Sequence, residues 1–115
     1  MTTYLDIDIR IKDVAGKVSD LAFMNKDQIF DMLAEIVAIS DDISTFIRDI
    51  DVQMMNIETK IVEENKDKKV SAAMLDQLAK PKILPLKTDK KWAERQNSLL
   101  SEIRMAALAA ARTLE

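Results

Sequence analysis

KDQIFDMLAEIVAISDDISTFIRDIDVQMMNIETKIV, residues 26–62, is the stretch whose reading decides the fold. Within it Ile29, Leu33, Ile36, Ser40, Ile43, Ile47, Ile50, Met54, Ile57 and Ile61 recur at spacings alternating between 4 and 3. That alternation is a heptad seam, which lines one face of an α-helix with apolar side chains. Ser40 is its single polar interruption. Ile39, Phe46 and Val62 widen the apolar stripe beyond two positions per heptad, which suits a multi-helix bundle better than an isolated two-stranded coil.

Asn25 and Gln28 form a capping-box pattern at the start of this stretch, each able to satisfy a backbone amide near the other. No Gly or Pro falls between Lys17 and Lys80. The seam therefore predicts one helix over about 26–65, roughly 60 Å long at 1.5 Å per residue. The alternative is a break at Ser40-Asp41-Asp42, where Ser40 would cap a second helix and the two acids would suit its first turn.

Upstream, Leu5, Ile7, Ile9 and Ile11 alternate with polar residues, as in a strand. Tyr4, Ile7, Ile11, Val14, Val18 and Leu21 also keep a helical spacing. The helical reading is preferred over about 4–24, because a lone strand in a helical chain has no partner for its backbone. Gly16 inside it allows either a kink or a close approach of a neighbour.

Downstream, the charged run at 63–69 ends the seam. A short helix is expected over about 71–79, with Ser71 as its cap. Pro81 and Pro85 each remove a backbone donor and disfavour helix in the preceding residue, so 80–87 is expected to be extended. A C-terminal helix over about 89–112 follows, capped by Thr88 or Asp89, with Trp92, Leu99, Ile103, Ala106 and Ala110 as its apolar stripe and Leu100 and Ala107 beside it. Leu114 and Glu115 resemble an added tail and carry no weight in the fold reading. The expectation is a single all-α domain: a small bundle of three or four helices around one long heptad helix.

Composition narrows the function. The 115 residues include one Gly, two Pro and neither Cys nor His. Thiolate chemistry, disulfides, zinc fingers and imidazole bases are excluded. A Gly-rich phosphate cradle is excluded too, since it needs several residues without a Cβ. Apolar runs are too short for a membrane span, and no basic-then-apolar start reads as a signal peptide, so the cytoplasm or a host-cell interior is expected. Acid pairs at Asp6/Asp8, Asp41/Asp42, Asp49/Asp51 and Glu63/Glu64 read as solvated helix faces, because adjacent helical positions diverge by about 100°. No cofactor, metal or catalytic residue is expected.

Net charge is −3, but it is unevenly placed. Residues 1–64 carry 14 acids and 6 bases, whereas residues 65–115 carry 6 acids and 11 bases. Lys80, Lys82, Lys87, Lys90, Lys91 and Arg95 surround Trp92. Cations neutralise phosphates and an aromatic ring can stack a base, so this segment is the candidate contact for a polyanion or an acidic partner. The competing reading makes Trp92 a core anchor among solvated lysines. Seven Met residues suit either core filling or an adaptable binding surface, and Met55 lies off the seam.

If only shorter helices accompany a helix of about 60 Å, part of its seam stays wet. Leu33, Ile36, Ile43, Ile47, Ile50, Met54, Ile57 and Ile61 are thus the expected interface for a second copy or a helical partner. The function expected is non-enzymatic protein–protein interaction, as an adaptor, assembly subunit, chaperone or inhibitor. The alternative is nucleic-acid association through 80–95.

Overall fold

A computed structural model describes residues 4–114. Among them the chain forms three α-helices and one 3-10 helix, with no strand. Helix α1 spans Tyr4–Gly16. The 3-10 helix spans Val18–Phe23. Helix α2 spans Lys26–Asn65 and helix α3 spans Ala72–Thr113.

The long seam is one unbroken helix, and Ser40 does not interrupt it. The capping box forms as the sequence predicts: Gln28 N–H donates to Asn25 Oδ1, and Asn25 N–H donates to Gln28 Oε1, both at 2.9 Å. At the other end Asn65 Nδ2 donates to the Ile61 carbonyl at 2.7 Å, and the chain turns at once. Residues 66–71 make that turn, and Ser71 Oγ accepts from Met74 N–H to start α3.

Three expectations about the flanking segments are corrected. The helix expected over 4–24 is helical, not strand, at 5–11, but its α-form ends at Gly16. A Cβ built on Gly16 would meet nothing within 4 Å and its φ is not positive, so neither a close approach nor the backbone conformation requires glycine there. The second correction concerns 80–87. This segment is not extended, and Thr88 and Asp89 cap nothing, because α3 runs through Pro81 and Pro85. The short helix at 71–79 and the helix at 89–112 are therefore one element.

A proline inside a helix costs on the order of 3 kcal/mol. Two observations explain why α3 tolerates a pair. Both prolines are exposed, and so are Gln77 and Pro81, the residues whose carbonyls lose their donors, so water can serve those oxygens. Meanwhile the inner face stays apolar at helical spacing, with Ala79 and Ile83 buried against Ile61. Packing holds the helix where local propensity opposes it.

The third correction concerns the stripe of α3. Ile103, Leu100 and Ala107 are buried in or beside the expected stripe, but Ala93 and Ala111 are buried with them and Leu99 is 39% exposed. The true seam runs Ala79, Leu86, Ala93, Leu100, Ala107, five positions seven apart. It lies beside the Ile29, Ile36, Ile43, Ile50, Ile57 column of α2. Alanine and leucine alternate along the α3 seam, so small and large side chains take turns against the isoleucines, as in close-packed cores.

Helices α2 and α3 thus form an antiparallel hairpin, and with α1 beside it the molecule is 67 Å long and 23 by 21 Å across. Its radius of gyration is 20.0 Å, against roughly 13 Å for a compact chain of this length. Helix α1 lies along one half only, the end where α2 begins and α3 finishes. There Ile7, Ile11 and Val14 join Ile29, Met32, Ile36, Ile39 and Ile43 in the main core. The far half has a second, smaller core of Ile61, Ala79 and Ile83, with Met54, Ile57 and Leu75 packed around it.

Polar contacts fix the register. Arg10 reaches from α1 to two acids of α2, donating to Glu35 at 3.0 Å and also to Asp42. Lys90 of α3 meets Asp51 of α2 at 2.8 Å. Ser40, the one polar residue in the α2 seam, donates to Asn97 Oδ1 at 3.2 Å. Asn97 is exposed, so this pair sits at the edge of the seam.

Candidate interaction surfaces

The eight seam residues proposed from the sequence as an interface lie mostly inside the chain. Ile36, Ile43, Ile50 and Ile61 are buried, and Leu33, Ile47, Met54 and Ile57 are half-buried. The premise behind their expected exposure was that only shorter helices were available. At 42 residues α3 is longer than α2, with 40. It covers the seam along the length of the rod.

The basic segment divides. Lys80, Lys82, Lys87, Lys91 and Arg95 are exposed. Lys90 is half-buried and bound to Asp51, which holds its ammonium pKa above the ordinary 10.5. Lys82 is on a different side of α3 from Lys80, since two residues turn a helix by about 200°. Lys80, Lys87, Lys91 and Arg95 fall on one line at spacings of 7, 4 and 4, with Leu84 among them. The structure thus brings four of the cations together and separates two.

Trp92 belongs to the core edge. Its ring stacks on Tyr4 with centroids 3.9 Å apart and planes 29° from parallel. Phe46 meets it edge-on at 6.1 Å and 70°. The ring joins α1, α2 and α3, and one face is already taken by Tyr4.

Arg10 is the other joint between helices. Its hydrogen bond to Asp42, opposed by partial burial and aided by Glu35, holds its pKa above the ordinary arginine value, so the guanidinium stays charged. Among the described residues no group of three or more acids is placed to hold a metal ion. No helix of the described residues is long and apolar enough to cross a membrane.

No family model, no curated protein and no solved structure matches the chain.

Several large apolar side chains face outward. Phe23 is 87% exposed and Met105 71%. Met55, the methionine that lies off the seam, is 62% exposed. Val37, Val62, Leu84 and Phe30 are each about half exposed. Phe23 sits at the end of the 3-10 helix, beside Lys17, Asp20, Met24, Gln28, Asp31 and Met32, which line a shallow open groove at the α1 end. Sequence reasoning missed Phe23 because it belongs to no periodic stripe. Its signal was that very isolation: a large aromatic just before a capping box, outside the spacing of both neighbouring helices.

Proposed function

We propose that this chain is a non-enzymatic protein–protein interaction module, a rigid helical rod that presents apolar side chains along its outside. The observation that carries this is the set of exposed large residues, above all Phe23, Met55, Met105 and Val37, on a scaffold whose own seam is already filled. Exposed large apolar groups favour association, each regaining about 1.5–3 kcal/mol on full burial. The rod supplies the preorganisation that lowers the ordering cost of binding. Partner choice then rests on flanking charges. Adaptor, assembly subunit, chaperone and inhibitor all fit this description.

The test is affinity capture from the source cell with wild type and with Phe23→Glu/Met105→Glu, both verified as folded by circular dichroism. The reading expects a discrete protein retained by wild type and lost with the variant. Equal recovery by both would overturn it.

A second reading, nucleic-acid association, is favoured by one observation: Lys80, Lys87, Lys91 and Arg95 share a single exposed line. Phosphate contacts would give binding that weakens steeply with salt. Duplex and single-stranded oligonucleotides at low salt are the probes. Binding abolished by Lys87→Glu/Lys91→Glu would support this reading, and no binding by wild type would remove it.

A further inference from the structure

The outward face of α2 repeats a pattern that the seam does not use. Phe30, Val37, Asp41, Arg48, Met55 and Val62 share one side of the helix, at spacings of 7, 4, 7, 7 and 7. All six are exposed, the four apolar ones between 49% and 62%. Asp41 and Arg48 make no ion pair within the chain among the described residues, being two turns apart on the same helix.

The six are arranged almost symmetrically about residue 46, the middle of α2. Reversing a second copy about that point sets Val37 against Met55 and Phe30 against Val62. It also brings Asp41 of each copy within about 4.5 Å, along the axis, of the level of Arg48 of the other, at 1.5 Å per residue. An acid nearer one end and a base nearer the other become two complementary pairs only in the antiparallel arrangement. A parallel arrangement would set Asp41 against Asp41 and Arg48 against Arg48.

We infer that this chain associates with a second copy of itself, antiparallel, along the outer face of α2. The inference rests on the interaction-module reading and names a partner for it. The six residues span about 48 Å, so a strip about 10 Å wide gives about 500 Å² on each copy. Two such strips make about 1,000 Å², the size of a weak, reversible interface.

Three measurements test it. Sedimentation equilibrium from 1 to 100 μM should show mass rising from 13.0 kDa toward twice that value. D41R should raise the dissociation constant at least tenfold by setting Arg against Arg, and D41R/R48D should restore it. The chain has no cysteine of its own, so V37C/M55C should oxidise to a covalent dimer while V37C alone and M55C alone should not. A folded wild type that stays at 13.0 kDa up to 100 μM overturns the inference. So does a dimer indifferent to D41R, or one linked by V37C alone. A monomer that still captures a cellular protein through Phe23 and Met105 would leave the interaction-module reading standing while removing this one.

Discussion

The two halves of the rod are built from the same hairpin but are not equally covered. At the α1 end three helices enclose a core in which Ile7, Val14, Ile29, Ile39, Ile43, Ala93 and Ala107 are fully buried. At the turn end two helices share three buried residues, and the best covered, Ile61, is still 5% exposed. One column of α2 shows why the third helix stops. Met32, Ile39 and Phe46 join the main core that α1 completes. Seven and fourteen residues on, the same column carries Gln53 and Lys60, both exposed. In α3, Ile103 and Ala110 give way to Gln96, Asp89 and Lys82 in the same manner. A groove that was apolar becomes polar on both its walls. The extent of α1 is therefore written into its neighbours as well as into itself.

Substitutions sharpen the contrast. Ile43→Ala opens a cavity in the three-helix core and should cost about 4–5 kcal/mol, near the top of the range for buried Ile. Ile61→Ala, at the two-helix end, should cost about 2 kcal/mol, because water already reaches its edge. Urea unfolding of the two variants measures the difference, and equal losses would erase the distinction between the halves.

Removing the prolines should strengthen the weaker half. Pro81→Ala/Pro85→Ala restores two backbone donors and should raise stability by up to about 3 kcal/mol per site. The check is the urea midpoint together with amide exchange at 75–90. An unchanged midpoint would mean that the carbonyls of Gln77 and Pro81 are fully served by water already.

Tyr4→Ala tests the junction between the halves. Loss of the stacked pair should cost about 1 kcal/mol beyond the area uncovered. Emission from Trp92, the only tryptophan, should shift to the red as water reaches its open face. Emission that does not move would separate Tyr4 from Trp92 in solution.

The smallest effect concerns Lys90 and Asp51. The pair raises the folded-state pKa of Lys90, so its contribution is full below the unfolded value near 10.5 and fades as pH climbs through the folded one. Wild type should lose slightly more stability than Lys90→Met above pH 10.5, read from thermal midpoints across pH 9–12.

Much of the fold was legible because α2 carries its information locally. Its seam, the Asn25 capping box and the Ser71 cap depend on side chains within a few residues of each other. The course of α3 was less legible, since Pro81 and Pro85 speak against helix and only the distant Ile61 speaks for it. Where Ala79, Ile83 and Leu86 point depends on what lies opposite, and no local rule contains that. The candidate site was legible in the same partial way. The spacing of the isoleucines identified the residues that matter for packing but not which chain supplies the cover. The outer residues Phe23, Val37 and Met55 became meaningful only once the seam was filled.

The turn at 66–71 gives the hairpin an order of assembly. Ile61 and Ala79 are 18 residues apart in the chain, while Ile29 and Ala107 are 78 apart, and closing a short loop costs less entropy than closing a long one. The pairing that is cheapest to begin is thus in the half with the least to hold it. The half that locks the structure must bring together residues from nearly opposite ends of the chain. Loop entropy therefore favours pairing that begins beside the turn and reaches Ile29 and Ala107 last.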